Sequence, residues 1–286
     1  MAPEPDHPYE ILDVFTDTPL AGNPLAVFTE GEAVPSRLMQ AAARELHLSE
    51  TVFVLPGDGE ADATVRIFTP EAELPFAGHP VLGTAFVVGE RQNLATVRLR
   101  TGAGIVPVRL TREHGQIVFG EMDQPIPSMS TFDRAVELLS AVGVQSDPAV
   151  PVEVYVNGPS HAIVVLEAAE QVAALQPDMI ALGRLGELLV SCCALVGDAE
   201  VKTRCFVPSL GVGEDPATGS AAGPLTLHLA RHGLVAFGKA VSIEQGVEIA
   251  RPSRLTARVE GDAEVTEGVI VGGSAVAVAR GHFRLQ

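Results

Sequence analysis

Glu50 is a carboxylate placed directly in front of an apolar strand-like segment. It lies in LHLSETVFVL, after the end of a helix-like segment and before Val52, Phe53 and Val54. Apolar neighbours displace water from a carboxylate and raise its pKa, which suits a general acid or base. The alternative is a carboxylate in a surface turn or one that caps the preceding loop. The residue alone leaves both interpretations open.

His79 is the second candidate, in LPFAGHPVLGTAFVVG at residues 74–89. Gly78 permits close backbone approach and Pro80 suits a first helical turn, so the histidine is predicted to stand at a helix N-terminus. The positive potential there favours the neutral imidazole, which can donate or accept a hydrogen bond. The alternative is a histidine that only satisfies a loop carbonyl.

Asp215 is the third candidate, in GVGEDPATGSAAG, which is typical of a helix entry. Asp215 could be a plain N-cap of that helix. Thr218, Gly219 and Ser220 follow, and they offer exposed N–H groups and hydroxyls. Such a helix N-terminus is a good pocket for a carboxylate ligand.

Metal and thiol chemistry have little support in the sequence. His228 and His232 are four residues apart on one predicted helix face, but no third ligand with suitable spacing is visible. The three cysteines, Cys192, Cys193 and Cys205, contain no CxxC pair and lie in apolar strand-like segments. We therefore expect no metal site and interpret the thiols as buried and structural.

Composition excludes several classes of protein. The 286 residues carry a formal net charge of −17 with only two lysines, Lys202 and Lys239, which argues against a nucleic-acid partner. No apolar run approaches a membrane span and the first residues lack the pattern of a secretory signal, so we expect a cytoplasmic protein. No phosphate loop, dinucleotide fingerprint or GxSxG motif occurs, so neither a nucleotide cofactor nor a hydrolase triad is expected.

Strand-like alternation dominates both halves of the chain, and each half holds one helix that is small or apolar on all sides. One helix is predicted from about Pro80 to Val88, and the other from the DPATGSAAG segment to Gly233. A helix without a polar face belongs inside a protein, so each is predicted to lie within a curled sheet. The two similar openings are a weak internal repeat, and we expect both helix N-termini at a shared cleft.

The segment DQPIPSMS, at residues 123–130, is rich in proline and serine and is predicted to be a linker. Domains are therefore expected at 1–124, with the last strand of the chain as a possible addition, and at 125–286. After the linker we predict a helix in TFDRAVELLSAVGV with a Thr or Ser cap and a Gly stop. Two short helices are then predicted from about Ala168 to Leu189.

The three candidate residues occur together in one family. The segments AGNPLAVF, LHLSETVFVL, RIFTPEAELPFAGHPVLGTA and GEDPATGSAAGPL resemble signature blocks of the phenazine-biosynthesis PhzF family. Later segments, EMDQPIP, YVNGPSHAIVVL, LHLARHG and QGVEIARPS, fit in the same order. The resemblance extends over the full length of the chain.

This resemblance implies an α+β fold of the diaminopimelate-epimerase type, with two similar domains and the active site between them. It implies that Glu50 transfers a proton, with His79 and Asp215 as its partners. Four further positions match family residues near the substrate: Asn23, Gly78, Gly219 and Ser220. The epimerases of this fold use a cysteine from each half, and neither helix entry here contains one.

The implied reaction is the isomerisation of trans-2,3-dihydro-3-hydroxyanthranilate to an amino-oxocyclohexene carboxylate, without cofactor or metal, in a homodimer. Two alternatives stay open at this point. One is a related isomerase or epimerase that acts on another small cyclic or amino acid. The other is a binding protein without catalytic activity, although the presence of both Glu50 and Asp215 disfavours it.

Overall fold

The computed structural model describes residues 6–145, 147–208 and 213–285. The chain divides into two compact units. Unit 1 comprises Met1–Met122 together with Gly272–Gln286, and unit 2 comprises Asp123–Val271. Within the described ranges, no helix is both long and apolar enough to cross a membrane.

Unit 1 is built on a mixed β-sheet. Its strands are β1 (Asp6–Val14), β2 (Asn23–Phe28), β3 (Glu50–Pro56), β4 (Ala63–Phe68), β5 (Glu73–Leu74), β6 (Thr96–Thr101), β7 (Gly104–Glu113), β8 (Gln116–Gln124) and the last strand of the chain, β18 (Ala275–Arg284). They pair in the order β18–β1–β2–β3–β4–β6–β7–β8, and the short β5 pairs with β4. The pairs β2/β3 and β4/β6 are parallel, and the others are antiparallel.

Two helices complete unit 1, α1 (Ser36–Leu46) and α2 (Gly78–Gln92). Every residue of α2 from Gly78 to Gly89 is buried, and the helix packs against β1, β2, β3, β6 and β7. Small side chains make this close packing possible. A Cβ at Gly83 would lie 2.7 Å from side-chain atoms of Leu25 and Val14, so the sheet approaches the helix at a position that has no room for a larger residue.

Unit 2 is also built on mixed β-structure. Its strands are β9 (Ser128–Thr131), β10 (Glu153–Val156), β11 (Ser160–Val165), β12 (Leu189–Gly197), β13 (Glu200–Phe206), β14 (Glu214–Asp215), β15 (Val241–Gln245), β16 (Ser253–Gly261) and β17 (Thr266–Gly273). The order β9–β10–β11–β12–β13–β15–β16 contains two parallel pairs, β11/β12 and β13/β15, and β14 pairs with β13.

The described residues of unit 2 form four α-helices: α3 (Ala135–Val142), α4 (Ala169–Ala174), α5 (Met179–Gly183) and α6 (Gly219–Arg231). The first three pack on one face of the sheet around an aliphatic core that includes Leu138, Val164 and Val190. Helix α6 is buried from Gly219 to Ala230 and contacts β10, β11 and β16.

The internal repeat predicted from the two helix openings is confirmed by the strand pairing. The two units share one order of parallel and antiparallel strand pairs around a buried helix. In unit 1 this order is formed by β1 to β5, α2, β6 and β7, and in unit 2 it is formed by β10 to β14, α6, β15 and β16. In this correspondence Gly78-His79 opens one buried helix and Gly219-Ser220 opens the other. Each helix entry follows a two-residue strand.

Three local predictions are wrong in part. The boundary between the units does lie at the start of the expected linker at 123–130, but the segment is largely strand: it contains the end of β8, and Ser128 begins β9, which pairs with β10. Its prolines lie in the three residues that separate these strands. Helix α3 begins after Arg134, which makes no side-chain cap, although Gly143 ends it in a left-handed conformation as expected. The two short helices expected from about Ala168 to Leu189 are α4 and α5, but they end at Gly183, and Leu189 begins β12.

Candidate active site

Glu50 is the first residue of β3 and pairs with Leu25 on the parallel strand β2. The chain reaches it from α1 through His47, whose φ of 52° ends that helix in the left-handed conformation. The Glu50 side chain is 12% exposed. A carboxylate in this position is largely screened from water while remaining accessible, so it is not a residue of an exposed surface turn.

His79 is the second residue of α2, and its side chain is 5% exposed. Its Nε2 lies 3.2 Å from Oε2 of Glu50. Burial lowers the pKa of the imidazole to about 3, so the ring is neutral at physiological pH. The neutral state agrees with the sequence-based prediction, and its cause is loss of solvent around the ring. The alternative of a histidine that only satisfies a loop carbonyl is wrong.

Asn23 is the first residue of β2 and is completely buried. Its amide Nδ2 lies 3.3 Å from Nδ1 of His79. The structure therefore brings three of the predicted site residues, Asn23, His79 and Glu50, into one line of contacts. Gly78, immediately before His79, is buried at the start of the same helix.

Asp215 belongs to unit 2 and ends the short strand β14, opposite Cys205. It is not the N-cap of α6, because that position is held by Thr218. The Thr218 hydroxyl instead donates a 2.6 Å hydrogen bond to Oδ2 of Asp215. Gly219 and Ser220 form the buried first residues of α6.

Gln245, on β15, holds the segment between Asp215 and α6 with three hydrogen bonds from one amide. Its Nε2 donates to the Asp215 carbonyl at 2.8 Å and to the Thr218 hydroxyl at 2.9 Å. Its Oε1 accepts from the Thr218 backbone N–H at 3.1 Å. This buried amide thus fixes the backbone at Asp215, from which the carboxylate side chain extends.

A second amide pair supports the first turn of α6. Gln124 Nε2 donates to the Gly219 carbonyl at 2.8 Å, and Gln124 Oε1 accepts from Asn157 Nδ2 at 3.0 Å. Sequence reasoning missed Gln124, Asn157 and Gln245. The only available signal was their presence in EMDQPIP, YVNGPSHAIVVL and QGVEIARPS, three segments that match the family but contain none of the predicted site residues.

The cysteines have no features of catalytic thiols. Cys192, Cys193 and Cys205 are all buried and free. Burial raises the pKa of Cys193 and of Cys205 to about 12, and raises that of Cys192 well above its usual value. Since the thiolate is the reactive species, these protonated thiols are poor nucleophiles and bases.

One ionisable cluster was not predicted. Glu153 on β10 lies beside the two histidines of α6, with its Oε2 at 3.1 Å from His228 Nδ1 and 3.3 Å from His232 Nε2. The two histidines therefore have a third potential ligand beside them, which the spacing of residues in the sequence did not reveal. However, Glu153 Oε2 also accepts hydrogen bonds from Tyr155 (2.7 Å) and Arg231 (2.9 Å). The guanidinium already supplies the positive charge that a metal would bring.

The cluster also shifts the protonation of its members. Burial, helped by the charge of His232, lowers the pKa of His228 to about 4 against the opposing effect of Glu153. Burial favours protonation of the Glu153 carboxyl, but hydrogen bonding from Tyr155 and the charge of Arg231 outweigh it and leave its pKa lowered. An ionised Glu153 and a neutral His228 form a polar bridge between β10 and α6.

Solved structures with the same fold include members of two groups. A phenazine biosynthesis protein of the PhzF family from Bacillus anthracis superposes with a TM-score of 0.85 at 26% identity, covering 98% of this chain and 100% of that one. A hydroxyproline epimerase from Agrobacterium vitis superposes with a TM-score of 0.70 at 14% identity, covering 100% and 94%. The predicted α+β, epimerase-like fold is confirmed.

Curated relatives match over nearly the whole chain. The trans-2,3-dihydro-3-hydroxyanthranilate isomerase of Pseudomonas fluorescens is 46% identical over 279 residues, 98% of this chain and 100% of that protein. The enzyme of the same name from Pseudomonas aeruginosa is 47% identical with the same coverage. A family model described as phenazine biosynthesis-like protein, PhzC-PhzF, matches residues 12–281. The chain therefore belongs to the PhzC-PhzF family of phenazine biosynthesis-like proteins.

Proposed function

We propose that this chain is a trans-2,3-dihydro-3-hydroxyanthranilate isomerase that forms 6-amino-5-oxocyclohex-2-ene-1-carboxylate without a cofactor. The observation that carries the proposal is the 3.2 Å contact between the Glu50 carboxylate and a neutral His79. It occurs in a chain that is 46% identical, over 98% of its length, to an enzyme of that activity.

In the proposed reaction Glu50 is the only base. Its carboxylate takes the proton from C3 of the ring, and the electron pair of the broken C–H bond spreads through the conjugated diene towards C1. The protonated Glu50 then delivers the same proton to C1, which leaves an enol. Transfer of the enol proton to C4 gives the ketone. Protons and electrons balance within the substrate, so the reaction consumes no oxidant, reductant or second substrate.

We propose that Asp215, Gly219 and Ser220 serve the same substrate. The first turn of a helix offers unpaired backbone N–H groups and a positive end, which together bind an anion. This suits the carboxylate of a small amino acid in a chain with a net charge of −17 and only two lysines. The buried Ser220 adds a hydroxyl at that turn.

The decisive experiment is incubation of the purified protein with trans-2,3-dihydro-3-hydroxyanthranilate in D2O, followed by ultraviolet spectra and mass analysis. The proposal predicts loss of the diene absorbance and a product of unchanged composition, apart from deuterium. A related isomerase with another substrate leaves this compound unchanged but exchanges deuterium into its own substrate. A protein that only binds exchanges deuterium into no candidate ligand, and that outcome would refute an enzymatic function.

We further propose that the enzyme is a cytoplasmic homodimer. Closed two-fold dimers are the commonest assemblies of this kind of protein, and the family resemblance implies the same state. Sedimentation at micromolar concentration is expected to give twice the chain mass of 29.9 kDa. A single species of the monomer mass at that concentration contradicts the proposal.

A further inference from the structure

We propose that Asn23 is a positioning residue that fixes the tautomer of His79, so that the imidazole presents Nε2–H towards Glu50. The role assigned to Glu50 rests on the proposed function, whereas the tautomer rests on the geometry and burial of Asn23 and His79. This gives Asn23 a different task from the substrate contact implied by the family resemblance.

The tautomer follows from the chemistry of the two side chains. The atom of Asn23 that faces His79 Nδ1, at 3.3 Å, is the amide nitrogen Nδ2. An amide NH2 donates hydrogen bonds and does not accept them, so Nδ1 must be the acceptor. A neutral imidazole carries one proton, and burial keeps this ring neutral with a pKa of about 3. The proton of His79 therefore resides on Nε2.

Nε2 is the nitrogen that lies 3.2 Å from Glu50 Oε2. In the tautomer fixed by Asn23 a polar N–H meets the carboxylate, whereas in the opposite tautomer two lone pairs would meet. The 3.2 Å contact does not have hydrogen-bond geometry here, since neither Nε2 nor Oε2 makes a hydrogen bond to a described residue. Catalytic contacts of this kind commonly tighten only when substrate is bound, and the tautomer fixed by Asn23 places the donor, not a lone pair, on the nitrogen that faces Glu50.

The fold holds the Asn23 amide rigidly enough for this task. Asn23 is completely buried and pairs with Val14 across β1 and β2. The turn that joins these strands contains left-handed φ angles at Phe15 (65°), Leu20 (69°) and Gly22 (66°). A Cβ at Gly22 would lie 2.4 Å from the Val14 carbonyl oxygen, so this position requires glycine. Strained backbone of this kind is found where a side chain must be placed accurately.

A hydrogen bond supports the same turn. Oδ2 of Asp13, the residue before Val14, accepts from the Leu20 backbone N–H at 2.7 Å. The bond links the end of β1 to Leu20, which has a left-handed φ and lies three positions before Asn23. The turn that precedes Asn23 is therefore hydrogen-bonded to β1. This fixes the backbone from which the Asn23 side chain extends and restricts the rotation of its amide.

The test uses Asn23→Asp, which keeps the shape of the side chain and replaces the donor with a carboxylate acceptor. The variant is expected to draw a proton onto Nδ1, so that Nε2 loses its proton or the whole ring becomes a cation. Nitrogen-15 NMR of the labelled protein reads the state of each ring nitrogen directly, and His79→Gln assigns the signals. The matched control is Asn93→Asp, the same change at the C-cap of α2.

In the unsubstituted protein the expected spectrum has a protonated Nε2 and an unprotonated Nδ1 on His79 across the neutral pH range. Asn23→Asp is expected to abolish that pattern and to lower kcat by about 10²–10⁴-fold with little change in KM, the scale seen when a catalytic histidine is held in the wrong tautomer. Asn93→Asp should change neither measurement.

Two results would each overturn the proposal. One is a protonated Nδ1 on His79 of the unsubstituted protein, a measurement that needs neither enzymatic activity nor an Asn23 variant. The other is a kcat for Asn23→Asp equal to that of the unsubstituted enzyme. A protein with the predicted tautomer but no isomerase activity would refute the proposed function and leave the tautomer established.

Discussion

The hydroxyl of Thr218 donates a 2.6 Å hydrogen bond to Oδ2 of Asp215, three residues earlier in the chain. The residue at the N-cap position of α6 thereby uses its side chain to orient a carboxylate and leaves the first N–H groups of the helix without a side-chain cap. Because helix N–H groups without internal partners attract anions, the arrangement keeps the helix entry available for a ligand.

Gln245→Leu tests the support of this arrangement. The change removes three buried hydrogen bonds to Asp215 and Thr218 and leaves their partners unsatisfied. We expect a loss of about 1–3 kcal/mol in the free energy of unfolding, together with a higher KM. Urea denaturation and steady-state kinetics measure both. Gln116→Leu, at an exposed position, is the matched control, and an unchanged KM for Gln245→Leu would separate Gln245 from substrate binding.

Glu50→Gln keeps the size of the side chain and removes its ability to carry a proton. Turnover is expected to fall by at least about 10²–10⁴-fold, the usual contribution of general acid–base catalysis. Substrate binding, measured by calorimetry, should persist because the site proposed for the substrate carboxylate is the entry of α6 and not Glu50. Glu71→Gln, at an exposed position, should behave like the unsubstituted enzyme. A fully active Glu50→Gln enzyme removes Glu50 from the mechanism.

Single replacements of Cys192, Cys193 and Cys205 by alanine are expected to leave turnover within about tenfold of normal, provided that the variant folds. All three thiols are buried, and their raised pKa values keep them protonated. The same reasoning predicts slow reaction with thiol reagents in the native protein. A drop of several orders of magnitude in a folded variant is the contrary outcome.

His161 is expected to make the protein less stable in acid. It is completely buried, neither ring nitrogen has a hydrogen-bond partner among the described residues, and burial lowers its pKa to about 3. Above the ordinary histidine pKa, about 6.5, both the folded and the unfolded states are neutral. Below it the unfolded state binds a proton that the folded state excludes. Stability therefore declines as the pH falls from about 6.5 towards 3, by at most about 1.4 kcal/mol per pH unit from this residue.

His161→Leu removes this proton-linked loss and the unsatisfied ring together. We expect a free energy of unfolding at pH 7 that equals or exceeds the normal value, with a shallower decline in acid. Denaturant titrations between pH 4.5 and 8 measure the two slopes. His282→Leu, on the exposed side of β18, should keep the normal slope. Parallel pH profiles for His161→Leu and the unsubstituted protein contradict the explanation.

Removal of divalent metals is expected to leave activity unchanged. The cluster of Glu153, His228 and His232 offers three ligand atoms, but Arg231 already lies 2.9 Å from the Glu153 oxygen that would bind a metal. Prolonged dialysis against a chelator followed by assay in metal-free buffer checks this. Loss of activity that zinc or another divalent ion restores is the result that speaks for a metal enzyme.

The candidate site was predictable where a distinctive residue type stands at a helix or strand start. Glu50 before β3 and His79 at the start of α2 were visible in the sequence because local pattern determines both placements. The central helices were predictable for the same reason, since their apolar residues face all directions. Strand pairing then confirmed the repeat that these two helix openings suggested.

The remaining part of the site depends on contacts between distant segments. Gln245 and Asn157 are common residue types, and their roles arise from hydrogen bonds to residues about thirty positions away in the chain. Glu153 joins His228 across 75 residues, so spacing could not reveal it. Composition predicts a linker at the short strand β9 because it records the prolines and not the pairing with β10.

The pairing of β18 with β1 joins Arg284 to Asp6 and extends the sheet of the first unit with the last strand of the chain. β18 follows the second unit in the chain, so the ribosome releases all of the second unit, continuous from Asp123 to Val271, before it releases β18. Until then the first unit has an open sheet edge at β1. We therefore expect the second unit to complete its sheet before the first, the reverse of the usual cotranslational order in which the N-terminal domain folds first.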